Sequence, residues 1–289
     1  MQNKKQEWQR VGIFFLLSYA IAYIPEIALG WKMGDYENWT EPNMLGWFLF
    51  VTFSPAIAVV LTRIITKEGW KDSLLHINLK GNLKYYILSV FFLIAFELPR
   101  GITLNLMNGE APFAGFTVPK FFGILLMTAG MSIPLAFINF GEELGWRGYL
   151  YPKLEKLIGV PATVIIGGIV WGLWHAPLTV KGHNFGTDYP SYPYGGLILM
   201  SLFCISTGAF LMWLTKKTNS VYPASIAHSI NNNSAGAVAY ALVSENISEE
   251  SLNLFQHSVI TMSYMLILAV VFTILILKDS KKQKTPAEI

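Results

Sequence analysis

With only 13% charged residues against 53% apolar ones, this 289-residue chain lacks the polar surface of a water-soluble domain, which carries about 25% charged residues. Its net charge of +3 follows from a bias between loops, described below, and needs no nucleic-acid-binding patch. The single cysteine, Cys204, rules out a disulfide within the chain and says nothing of redox compartment.

Runs of about 20 apolar residues read as membrane helices, because a hydrocarbon layer of ~30 Å needs that many at a rise of 1.5 Å each. The first such run, 11–31, follows the basic start "MQNKKQEWQR". It is too long for a signal-peptide core and no small-x-small cleavage site follows, so it is expected to be the first span. Glu26 sits in it, after Pro25. The second run is 44–66 and the third 84–104, where Glu97 and Arg100 flank Pro99 as a structural ion pair or part of a polar vestibule. The fourth, 119–141, ends in "INFGEELGWRGYL". Helical spacing pairs Glu143 with Arg147 at i,i+4 and turns Glu142 about 100° away, free for other work.

The stretch "WRGYLYPKLEKLIGV" then sets Leu150, Leu154 and Leu157 in a stripe beside Lys153 and Lys156. An amphipathic helix dipping into the interface is expected there, with breaks near Pro134 and Pro161. The fifth run, 160–180, carries "VWGLWHAP", in which Trp171 lies one turn before His175 and Pro177 ends or kinks the helix. The sixth is 194–214. The seventh, 221–243, is the weakest because it holds "HSINNNS", which puts His228 and Asn232 on one face; the eighth is 256–277.

Basic residues occupy alternate loops: Lys4, Lys5 and Arg10; Arg63, Lys67, Lys71, Lys80 and Lys84; Arg147, Lys153 and Lys156; Lys216 and Lys217; and Lys278 to Lys284. The other loops have Lys32, Lys120 and Lys181, with Asp35, Glu37, Glu41, Glu245, Glu249 and Glu250. The positive-inside rule then places both termini and the "EELGWR" segment in the cytoplasm. The expected fold is all-α: one polytopic domain over 1–289, an eight-helix transmembrane bundle in the cell membrane with an intramembrane polar cavity.

Ionisable groups inside a bilayer are costly and read first as functional. Glu142 supplies a candidate general base, His175 and His228 two imidazoles, and Asn232 an amide donor; a His–Asn pair on one face can aim two hydrogen bonds at one oxyanion. Each residue has an ordinary alternative as interfacial charge, buried histidine or interhelical glue. Together they make the inventory of a hydrolytic site.

"EELGWR", "WGLWH" and "HSINN" resemble the E-E-x-x-x-R, aromatic-x-x-x-His and His-x-x-x-Asn motifs of the CPBP family: type II CAAX prenyl endopeptidases and bacteriocin-processing or self-immunity (Abi-type) membrane proteases. The resemblance covers roughly 122–240, within a catalytic core taken as 119–243. It implies an intramembrane glutamate-dependent endopeptidase in which Glu142 activates a water with help from His175, and His228 with Asn232 stabilises the oxyanion. Glu143 and Arg147 would shape the site, Arg147 gripping Glu143 or a substrate carboxylate. Trp171 stands where the eukaryotic pattern has Phe and is expected to be a packing aromatic. No metal cofactor is expected, zinc on the two His and a Glu being the alternative. The partners implied are the bilayer and a peptide or membrane-protein substrate, possibly lipidated; oligomeric state is not legible. The competing readings are a proton-coupled transporter and a non-catalytic bacteriocin-immunity protein.

Overall fold

The computed structural model describes residues 4–28, 30–34, 45–234, 236–248 and 254–284, and among them all regular structure is helical. Asp35, Glu37, Glu41, Glu249 and Glu250, weighed above for orientation, lie outside those residues. In chain order the helices are α1 (Lys4–Ala28), α2 (Leu45–Thr52), α3 (Ser54–Thr66), α4 (Leu83–Met107), α5 (Val118–Gly145), a π-helical turn (Trp146–Leu150), α6 (Tyr151–Ile158), α7 (Val160–Trp174), α8 (Ala176–Thr179), α9 (Tyr194–Thr218), α10 (Tyr222–Ser234), α11 (Ala237–Tyr240) and α12 (Leu254–Lys284).

Each of the eight apolar runs holds a helix. Among the described residues four helices are long and apolar enough to cross a membrane, and a fifth is counted if α2 and α3, bent by 51°, form one span. The seventh run is not one continuous helix. α10 stops at Ser234, and Gly236, at φ +91°, turns the chain into the short α11. Three successive asparagines are weak helix formers, and Leu242 instead gives its carbonyl to Gly115 N and Asn105 Nδ2.

α5 runs unbroken through Pro134, contrary to the expected break. Proline removes one backbone bond, and in a bundle packing against neighbouring helices carries a helix through it. The chain turns instead at Gly159, at φ +77°, with Pro161 in the first turn of α7. Between these points the π turn and α6 extend α5, so that 118–158 is a single 41-residue apolar path. The 146–158 stretch packs into the protein: Trp146, Arg147, Tyr149, Leu150, Tyr151 and even Lys153 are buried, Lys153 pairing with Glu7 and Glu68, while Lys156 is exposed.

That path pairs antiparallel with α7. Tyr151 fills the surface left open by Gly167, the Arg147 guanidinium lies over the Trp171 ring, and Trp171 bonds Glu142. Glu142 and His175 are thus at similar sequence distances from the Gly159 turn, which brings to one level two residues whose depths disagree when α5 is counted as ending at a membrane face. His228 joins them because α10 starts at the same height: Val221 lies beside Gly148.

α7 approaches α9 through Gly168 and Gly172, a G-x-x-x-G pair of the kind that lets membrane helices touch closely. A Cβ at Gly168 would sit 2.4 Å from Ile205 Cα, and one at Gly172 2.6 Å from Ser201 Cα. Because the obstacle is backbone, Gly168→Val is expected to cost at least about 1–3 kcal/mol by overpacking, measured as a lower thermal midpoint in detergent.

Candidate active site

The four residues singled out from the motifs line one cavity of about 440 Å³, together with Trp171, Trp174 and His183. Glu142 is supplied by α5, Trp171 by α7, His175 by the α7–α8 junction, and His228 and Asn232 by α10. His175 owes its place to the break at Pro177, which ends α7 at Trp174 and leaves the imidazole at the joint. Glu142, His175 and His228 are buried, whereas Asn232 is exposed at the cavity wall.

Glu142 is not free. Its Oε2 accepts a 2.8 Å hydrogen bond from Trp171 Nε1, and His175 Nε2 stands 4.0 Å from the same oxygen. The His175 ring is oriented from its other side, with Nδ1 2.9 Å from the Trp171 carbonyl oxygen. A carbonyl only accepts, so Nδ1 carries the hydrogen, and in the neutral ring Nε2 presents a lone pair toward Glu142. Trp174 holds the ring edge-on at 4.8 Å, and His183 stacks beside it at 6.2 Å. Trp171 is therefore more than a packing aromatic: its indole N–H, which Phe lacks, fixes the Glu142 carboxylate.

Glu143 faces away from the cavity into a buried knot. Arg147 grips it in a fork, Nε to Oε2 at 2.5 Å and Nη2 to Oε1 at 2.6 Å, and His228 Nδ1 reaches Oε1 at 2.8 Å. The guanidinium is sandwiched by Trp171 at 4.0 Å and Tyr151 at 5.3 Å. Spacing anticipated the Glu143–Arg147 pair but not the third member, His228. Of the two roles the resemblance allowed Arg147, gripping Glu143 is the one this geometry supports.

Asn139, one turn before Glu142, and His183 also line the cavity and were not singled out from sequence. An amide inside the apolar run before "EELGWR" was the available signal for Asn139; for His183, in the α8–α9 connection, there was none. Glu97 and Arg100 form an ion pair at 2.8 Å and also line the cavity, so the structural and vestibule readings both hold. Among the described residues, no group of three or more His, Cys, Asp or Glu side chains is arranged to hold a metal ion.

Residues 122–234, which carry all three motifs, match the family model described as Rce1-like, type II CAAX prenyl endopeptidase. Over this stretch the chain is similar to the Rce1-like endopeptidases. A curated relative, CAAX prenyl protease 2 of Methanococcus maripaludis, is 26% identical over 238 residues, covering 76% of this chain and 82% of the relative. The chain resembles this family in sequence, and its apolar helices of membrane-crossing length fit an integral membrane protein.

Proposed function

We propose that the protein is an intramembrane endopeptidase that hydrolyses a peptide bond with a water activated by Glu142 and His175. The observation that carries this reading is the convergence of Glu142, His175, His228 and Asn232 on one cavity, with the Glu142 carboxylate and the His175 lone pair 4.0 Å apart. Both groups are acceptors. A water between them donates one hydrogen to each and keeps an oxygen lone pair for the carbonyl carbon. As the new C–O bond forms, Glu142 takes the proton; when the C–N bond breaks, that proton passes to the leaving amine, directly or through His175 Nε2.

The carbonyl oxygen becomes an oxyanion facing His228 and Asn232 on α10. His228 gives its Nδ1 hydrogen to Glu143, so only the doubly protonated ring has an Nε2–H to offer. Glu143 and Arg147 position His228 and do not touch the substrate.

The mechanism needs no metal. Zinc is the alternative: a catalytic zinc takes three protein ligands and a water, and the Nδ1 bond from His228 to Glu143 leaves Nε2 to join Glu142 and His175, although among the described residues no such group is arranged to hold a metal ion. We extend the reading to a single domain over 1–289 with its catalytic core at 119–243, to eight membrane passages with both termini cytoplasmic, and to a place in the cell membrane. The substrate is a peptide or a membrane protein; the family's printed name points to prenylated C-terminal peptides as a first panel. Cleavage of such a peptide by protein purified in detergent is expected to survive exhaustive chelation. Loss of activity on chelation, restored by zinc, would replace this mechanism with a metal-assisted one.

A further inference from the structure

We infer that a second cavity, at the basic end of the bundle, binds a phosphate group, carried by an anionic phospholipid or by a soluble phosphate, with Arg147, Lys156 and Trp213 as donors. This inference stands apart from the protease reading.

At one end of the bundle the start of α1, α6, the end of α9 and the end of α12 come together. Lys153 pairs with Glu7 at 3.0 Å, Lys216 with Glu155 at 2.7 Å, and Lys217 with Asp279 at 2.6 Å. A cavity of about 790 Å³ lies there between α6, α9 and α12, with Leu74 of the α3–α4 connection on its wall. Lys216 and Lys217 are in the last turn of α9, a helix apolar enough to span the membrane. Cations at the end of such a span reach the depth of the lipid headgroups.

The cavity wall carries four cations, Arg147, Lys156, Lys216 and Lys217, against two carboxylates, Glu155 and Asp279. Both carboxylates are held by lysines, and the charge of Arg147 is met by Glu143 from outside the cavity. Lys156 is exposed and has no ion-pair partner among the described residues. It leaves the wall with a surplus positive charge.

The hydrogen-bonding capacity left over is of one kind. Arg147 gives Nε and Nη2 to Glu143, and this side-on fork leaves Nη1 on the other edge of the guanidinium. That nitrogen is buried and has no hydrogen-bond partner among the described residues. Arg147 lines this cavity and not the one that holds Glu142. Trp213, on α9, lines it too, and its Nε1 is likewise buried and unpartnered. Guanidinium, indole and ammonium groups can only donate. A buried donor left unmet is costly, and a phosphate answers such donors with several charged acceptor oxygens. Buried Met212 and Ile276 add an apolar wall, which suits the glycerol side of a lipid headgroup. Basic pockets between membrane helices hold phospholipid headgroups on this chemistry.

The test is native mass spectrometry of the full chain, purified in detergent and offered dioleoylphosphatidylglycerol or dioleoylphosphatidylcholine, which share their acyl chains. The wild type is expected to retain the anionic lipid about 5-fold more tightly or better. Lys156→Glu, at an exposed position, and Trp213→Phe, which keeps a ring and removes the N–H, are expected to remove most of that preference. Lys71→Glu, an exposed cation outside the cavity, is expected to leave it unchanged. Inorganic phosphate separates the two sources. A soluble occupant would give equal retention of the two lipids, and a thermal midpoint raised by inorganic phosphate in the wild type but not in Lys156→Glu. Equal retention with no response to phosphate overturns the inference. So does a lipid preference that both cavity variants leave intact, or that Lys71→Glu lowers as much as Lys156→Glu. Each readout is of binding, so none of these results turns on peptide cleavage.

Discussion

Glu142→Gln is expected to lower peptide cleavage by about 10²–10⁴-fold, the range for removing a general base. Glutamine keeps the volume of the side chain and an oxygen that can still accept from Trp171 Nε1, so the bond that positions residue 142 survives while proton affinity is lost. The fold should be indifferent. A buried carboxylate held by a single hydrogen bond contributes little to stability, and its neutral isostere should leave the thermal midpoint in detergent close to wild type or above it. Asn232→Ala is expected to reduce kcat by about 10²–10³-fold through loss of one oxyanion donor. Because Asn232 is exposed, its loss should not disturb packing. Cleavage at wild-type rate by either variant, measured as product mass against time, would remove that residue from the mechanism.

The largest effect on stability is expected at Arg147. Its side chain is fully buried, grips Glu143 through two hydrogen bonds, and sits between two aromatic rings. Arg147→Met preserves much of the hydrocarbon contact but strands the Glu143 charge with His228 alone, and breaking one partner of a buried pair costs about 3–5 kcal/mol. A second change, Glu143→Gln in the same chain, removes the stranded charge. The double variant is therefore expected to be more stable than Arg147→Met alone, though inactive, because His228 loses the carboxylate that orients it. Thermal unfolding of the three proteins measures this. Equal stability of Arg147→Met and wild type would mean that the pair does not hold the fold.

Patterns of short range were legible in the amino-acid sequence. Apolar runs located the helices, i,i+4 spacing paired Glu143 with Arg147, and the polar residues of three motifs were gathered before any of them was placed in space. What escaped were consequences of distant contacts. Pro134 reads as a break, yet α5 passes it, held by its packing against α10 and α3. Glu142 reads as the end of a span, yet the buried π turn and α6 carry the same rod onward to Gly159, which sets it level with His175. The seventh run reads as one span, but Gly236, the Asn105 side-chain amide and the Gly115 backbone N–H divide it. Trp171 was legible as an aromatic and not as a donor, since only the fold shows which carboxylate its N–H meets. His228 likewise pairs with Asn232 by spacing, whereas its bond to Glu143 joins residues 85 positions apart.

The most direct measurement of the central idea is cleavage of a C-terminal prenylated peptide and its unmodified counterpart by the purified protein in 18O-enriched water, followed by mass spectrometry. If Glu142 and His175 drive a single water onto the scissile carbonyl, the wild-type protein yields a new carboxyl group carrying one 18O atom, and Glu142→Gln forms it about 10²–10⁴-fold more slowly. Equal product from both proteins, or none from a properly folded wild type across a broad peptide panel, would contradict the proposal that these four side chains form a hydrolytic site.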